Sequence, residues 1–334
     1  MSRRGLRGVA RVRYDPVMVR CQKLPDRLVA VELNHGEGVD LTRRDGTMCR
    51  LVVRETSAWV TDTTLPLPLQ ETRGAVTNYR FHAVLEVDGC PIHIERVVAS
   101  QESFYEPATV AGLVIYLDAV NAIFDFLHET HGPCRPRAAC RLAIHDASCR
   151  LCPQPVHPFC PLPEGGLRIE QCYNGEDCWL GAYYGAAAHG GLDINHPAGT
   201  PIFAPLDIHD HYLFDAVSRG ANNNRWRGVH RWPDGGEWHV QCHHLISLSV
   251  DEHTFLRAGQ TIASGAGVWI GDHPHSHFAF RIRDVDEDGQ VSESTLDPWI
   301  LFRQMYADLP LTTAGNPSAV LGPGTAPASE ARMW

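Results

Sequence analysis

Short runs rich in β-branched and aromatic residues, cut apart by glycine and aspartate, constrain this chain most. From about Arg27 they follow one another as LVAVEL, CRLVVRE and YRFHAVLEV, with RDG and VDG supplying turns between them. Side chains branched at Cβ suit the pleat of a strand, and Asp-Gly pairs suit tight reversals. The expectation is a mainly β chain. One segment, DAVNAIFDFLHETHG, reads differently. Asp118 can cap a helix there, Val120, Ile123, Phe124 and Leu127 make an apolar stripe, and Gly132 with Pro133 ends it. Residues 28–160 are therefore expected to form a β-rich domain with one helix, and no chemistry is assigned to it.

A length of 334 residues suggests two domains, or one large domain with extensions. Residues 1–27 read as a basic N-terminal arm. Ser2, Arg3 and Arg4 resemble a twin-arginine signal, but Arg11, Arg13 and Asp15 interrupt any apolar core, so no signal peptide is expected. The proline-dense CPQPVHPFCPLPEGG is the candidate linker, ending near Gly166. A second β-rich region runs from 165 to 303, and residues 304–334 are expected to be a disordered tail. A net charge of -10 gives no support to nucleic-acid or anionic-membrane binding, and no run is long and apolar enough to span a bilayer.

Seven of the 11 cysteines fall between Cys134 and Cys178. That clustering fits disulfides, unpaired structural thiols or a structural zinc site, with Cys149, Cys152, His157 and Cys160 as possible ligands.

Imidazole is concentrated later. Twelve of the 19 histidines lie between His189 and His277, where an even spread would put about five. Three segments stand out. In AHGGLD, His189 and Asp193 are four apart, and Gly190 and Gly191 allow tight backbone and leave room above an ion. In HPHSHFAFRI, read as a strand, Ser276, Phe278, Phe280 and Ile282 point one way. His275, His277, Ala279 and Arg281 point the other. In WHVQCHHLISLSV, a strand would place Val240, Cys242, His244 and Ile246 on one face. An echo at NHGEGVDLTRRDGT has His35 and Asp40 five apart with no later partner, and is read as coincidence.

Together HGGLD, CHHL and HSH resemble the M23 family of zinc metallopeptidases, the lysostaphin-like group. GTPIFAP, LRAGQTIASGAG and LDPWILF are similar to further segments of that family, so the resemblance covers roughly residues 165–303. It implies an antiparallel β-sheet metallopeptidase domain, Zn2+ held by His189, Asp193 and His277, and His244 and His275 as catalytic residues beside it. Which of those two is the general base stays open, with His275 favoured. The implied substrate is a peptide bond in peptidoglycan cross-links or stem peptides, cut in the cell envelope or outside the cell. Cys242 stands where the family has tyrosine, Ser276 where leucine is usual, and the segment from His209 to Trp238 is longer and more polar.

Other histidines are read as outside the ligand set: His209 and His211, His239, His273, and His243 as the competitor of His244. Gly190, Gly191, Gly265, Gly267 and Gly271 could line a shallow groove but are read first as turn residues. The competing functions are a non-catalytic M23-like binding or regulatory module, with all five expected residues counting against it, and a zinc peptidase with a non-wall substrate.

Overall fold

The computed structural model describes residues 19–63, 77–98, 106–129, 134–149, 182–183, 187–188, 190–195, 198–215, 224–265, 275–285 and 289–307. The basic arm up to residue 18, the linker at 150–181 and the tail beyond 307 lie outside them. Ten strands occupy the first half: β1 Val19–Lys23, β2 Val29–Leu33, β3 Gly38–Thr42, β4 Met48–Thr63, β5 Thr77–Val87, β6 Cys90–Val98, β7 Ala108–Val110, β8 Leu113–Val120, β9 His128–Glu129 and β10 Cys140–Asp146. One sheet has the order β1-β3-β4-β5-β6 and the other β2-β10-β8-β7, antiparallel except for the β1–β3 pair. Both contribute to one core, with Val31, Leu117 and Leu142 from the smaller sheet meeting Leu51, Phe81 and Leu85 from the larger. The VDG turn closes the β5–β6 hairpin with Asp88 at φ 49° and Gly89 at φ 81°. Two successive left-handed residues match the twist of the strands they join, which is why Asp-Gly is found there.

The helix expected from Asp118 does not form. Asp118 and Val120 end strand β8, followed by a 3₁₀ turn over Asn121–Asp125 and then β9. Val120, Ile123, Phe124 and Leu127 are all buried as the stripe predicts, but by a strand end and a turn. The cause is tertiary. Asp118 Oδ2 accepts from Arg141 Nε at 2.6 Å, and its Oδ1 accepts from the Asp297 amide at 2.7 Å, so the carboxylate is taken and caps nothing local.

The second half adds β11 Ala182–Tyr183, β12 Ala187–Ala188, β13 Leu192–Asn195, β14 Thr200–Phe203, β15 Asp210–Asp215, β16 Asn224–Arg231, β17 Glu237–Leu248, β18 Thr261–Gly265, β19 His275–Val285 and β20 Val291–Leu296, then helix α1, Trp299–Ala307. The main sheet is antiparallel in the order β13-β19-β17-β16-β15, with β20 on β19, β18 on β17 and β14 on β18. The chain is thus mainly β, and among the described residues the α-helix stands at the close of this half. Asp297 starts that helix by accepting from the Trp299 amide at 2.8 Å, and Pro298 follows where no amide hydrogen is needed.

The halves share packing. Leu28, Tyr116 and Ala143 of the first belong to the same core as Trp226, Trp238, Phe280 and Trp299 of the second. Charged groups cross the same junction: Arg96 pairs with Asp297, and Arg27, 3% exposed, pairs with Asp234 and Asp284. A short sheet also joins them, with β12 running parallel to β9, Ala187 opposite His128.

Candidate metal and catalytic site

Strand β19 organises the site. Its even positions, Phe278, Phe280 and Ile282, are buried in the core, which turns His277 to the opposite face beside Ala279. Strand β13 lies antiparallel to it with Asp193 directly across from His277 and Asn195 across from His275. Directly opposed residues on paired strands carry side chains about 5 Å apart at Cβ. His189 and the side chains of Asp193 and His275 lie outside the described residues, so this register concerns backbone. Among the described residues no three His, Cys, Asp or Glu side chains gather into a metal cluster.

His277 is 2% exposed, and its ring rests on Gly191. A Cβ at position 191 would run into Cε1 and Nε2 of that ring and stand 2.5 Å from the Phe278 carbonyl oxygen. Gly191 has no positive φ, unlike the turn glycines Gly199 and Gly259. What it supplies is therefore close approach of backbone to imidazole rather than a turn. Gly267 and Gly271 lie outside the described residues, and Gly265 sits within strand β18.

Strand β17 corrects the sequence expectation. As far as Cys242 it pairs with β19, Cys242 opposite Phe278; from Leu245 it pairs with β18 instead. On its other edge, Trp226 faces Cys242 while Asn224 faces Leu245, so β17 holds one extra residue. The bulge falls at His243 and His244, and His244 has φ 62°, the left-handed region. Alternation restarts beyond it. Leu245, not Ile246, enters the core, and Ile246 is 40% exposed. The expected shared face of Val240, Cys242, His244 and Ile246 ends at Cys242. Asn224 pins the restarted strand, its Nδ2 donating to the carbonyls of Leu245 at 3.1 Å and Ile246 at 2.9 Å.

The bulge brings two consecutive imidazoles toward His277. The His243 ring stacks on it with centroids 4.7 Å apart and planes at 29°. The His244 ring stands 6.4 Å away at 69°. Cys242, in the place of the family's tyrosine, is fully buried, and burial pushes its thiol well above the ordinary range, so it fills core and offers no thiolate.

Other described histidines have structural partners. Nδ1 of His211 accepts from Trp226 Nε1 at 3.2 Å, and its Nε2 meets Thr254 Oγ1 at 3.1 Å. His209 accepts the Arg231 amide, His230 bonds the Asp207 carbonyl, and His239 pairs with Glu237. Burial depresses the pKa of His211, His230 and His239. At the echo motif, His35 meets Thr56, and Asp40 is held by Arg50 with both contacts at 2.7 Å, so the two serve separate local bonds. Among the described cysteines, Cys134, Cys140 and Cys149 form no disulfide. Cys152, His157, Cys160, Cys172 and Cys178 lie outside the described residues.

The structural neighbours of this chain are lysostaphin-like M23 peptidase domains. They include the catalytic domain of the antimicrobial peptidase lysostaphin from Staphylococcus simulans, 21% identical, covering 35% of this chain and 80% of that one at a TM-score of 0.28. The longer lysostaphin structure from the same organism is 21% identical, covering 39% and 49% at 0.29. A zinc containing peptidase from Vibrio cholerae is 15% identical, covering 70% and 57% at 0.29. The chain thus spans about half the length of the longer lysostaphin and of the Vibrio peptidase. No protein-family model and no curated protein match the sequence. At these TM-scores the likeness carries no functional weight, and the residues of the site have to.

Proposed function

We propose that this chain is a zinc-dependent endopeptidase that hydrolyses peptide bonds in peptidoglycan cross-links or stem peptides. The observation that carries the reading is the strand pairing that sets Asp193 across from His277, with His275 two residues along the same strand and two further imidazoles from the β17 bulge close by. His189, Asp193 and His277 would hold the metal. The set suits it: two imidazoles and one carboxylate leave a fourth position open, as in catalytic rather than closed structural zinc sites. Gly191 supports the fit, because the space a Cβ would fill is taken by the ligand ring. Bound zinc supplies Lewis acidity and a water of lowered pKa.

The chain's own residues supply the rest. His275 and His244 share two tasks: accepting the proton of the attacking water and donating a hydrogen bond to the oxyanion of the tetrahedral intermediate. An imidazole suits both, since it exchanges a proton near neutral pH. Residues 165–303 form the catalytic region in this reading and residues 28–160 a β-rich domain that packs Leu28, Tyr116 and Ala143 into the core of that region.

The test is release of new amino groups from purified peptidoglycan. The wild type should release them, and a zinc chelator or Asp193→Ala should stop it. Equal release by wild type and Asp193→Ala would exclude this site. No release from several wall types and from soluble stem peptides would exclude the activity.

A further inference from the structure

We infer that His243 is a positioning residue for His277, holding the imidazole of that ligand at a fixed orientation through ring stacking. The inference rests on the metal-site reading above, but the contact it invokes belongs to the protein alone. At 4.7 Å between centroids and 29° between planes, the pair lies in the range of offset aromatic contacts. Both rings are nearly fully buried, His243 at 7% and His277 at 2% exposure. His243 is braced in turn, with the Phe214 ring edge-on to it at 5.7 Å and the Arg227 guanidinium over Phe214 at 4.9 Å. His277 therefore occupies a slot with the His243 ring on one side and the Gly191 backbone against another part of its edge.

The bulge explains why two adjacent histidines are present. In a regular strand, His243 and His244 would point to opposite faces. With His244 in the left-handed region, both rings come within 6.4 Å of His277. A β-carbon in that region is strained, and such strain persists where the surroundings enforce it, often at functional sites. The two rings then divide the work. His244 stands farther off, its ring steeply inclined at 69° to that of His277, and is the one assigned to catalysis above. His243 lies against the ligand ring, with planes at 29°, and is the one assigned to holding it. A ligand ring already fixed loses less conformational freedom when an ion binds.

The experiment uses the full chain with His243→Leu, which keeps bulk without a flat ring, and His243→Phe, which keeps a flat ring without nitrogens. Zinc affinity is measured by competition with a chromophoric chelator, and the ring-proton resonances of His277 are recorded in the metal-free protein. Expected are zinc affinity weakened about 10- to 100-fold in the Leu variant, as for other supporting residues of metal sites, and near wild-type affinity in the Phe variant. The upfield ring-current shift of His277 should be lost in the Leu variant and kept in the Phe variant. Wild-type affinity in the Leu variant would overturn the inference. So would a Phe variant as weak as Leu, which would move the role to the nitrogens of His243. Should the wild type itself bind no zinc, the metal-site reading falls, and the His277 resonances alone decide whether His243 sets that ring: unchanged shifts in the Leu variant refute it, and altered ones support it.

Discussion

Replacing Gly191 by alanine tests the slot from its other side. The change adds one methyl group and no polar atom. That methyl would lie 2.5 Å from the Phe278 carbonyl oxygen and nearer still to Cε1 and Nε2 of His277, where ordinary contact begins at 3.4 Å. The carbonyl belongs to the β13–β19 ladder, in which Leu192 opposes Phe278, and cannot retreat without opening it. The ring must therefore move by roughly 1 Å, the kind of displacement that makes overpacking cost about 1–3 kcal/mol. For metal binding the tolerance is narrower, because ligand distances hold to within about 0.2 Å. Zinc affinity should fall about tenfold or more. Urea unfolding of the metal-free protein and a zinc competition titration, run on one preparation, read both effects. An alanine variant that unfolded at the wild-type urea concentration and bound zinc as tightly would refute the placement of His277 over Gly191.

Three other outcomes follow from the same geometry. His244→Gly removes a side chain held at φ 62°, so relief of strain should offset the usual cost of about 0.5–1 kcal/mol for a strand glycine. Stability should stay within about 0.5 kcal/mol of wild type while peptide hydrolysis falls by about 10²- to 10⁴-fold; a loss of stability above about 2 kcal/mol by urea unfolding would contradict the bulge. Asp297→Ala leaves Arg96 buried without its carboxylate and should cost about 3–5 kcal/mol, part of it recovered in the double variant with Arg96→Met. A cost under about 1 kcal/mol would mean that the pair is not buried. Finally, burial depresses the pKa of His211 below 6.5. Its neutral form stabilises the fold fully above that value, and the contribution is lost as pH falls through the lowered folded pKa, because the unfolded chain takes up the proton first. Asp297, pushed up to about 7 by burial, works the other way, so the comparison has to be differential. The slope of stability between pH 7 and 5 should be shallower in His211→Gln than in wild type, and equal slopes would count against a buried neutral His211.

Much of this molecule is legible in local pattern. The alternation in HSHFAFRI states both that β19 is a strand and which face carries His277, because strand periodicity is a property of the backbone itself. The Asp-Gly pair at 88–89 announces its hairpin for the same kind of reason: two left-handed residues are needed, and few residue types tolerate them. The motif that places Asp193 near His277 is also visible, although 84 positions separate the two.

What failed to show depends on partners distant in the chain. Asp118 reads as a helix cap until Arg141 and the amide of Asp297, 179 residues away, claim its carboxylate. The β17 bulge has no sequence signal of its own. It arises because one edge of β17 must register with β19 up to Cys242 and with β18 from Leu245, and a single extra residue absorbs the mismatch. That mismatch brings the His243 ring against His277. Residue types and their periodicity thus determined most of the strands, and the candidate ligands came from the resemblance of three motifs to a known family. The orientation of the imidazoles was decided only by tertiary structure, because orientation depends on what packs against a ring, and those neighbours come from strands that only folding brings together.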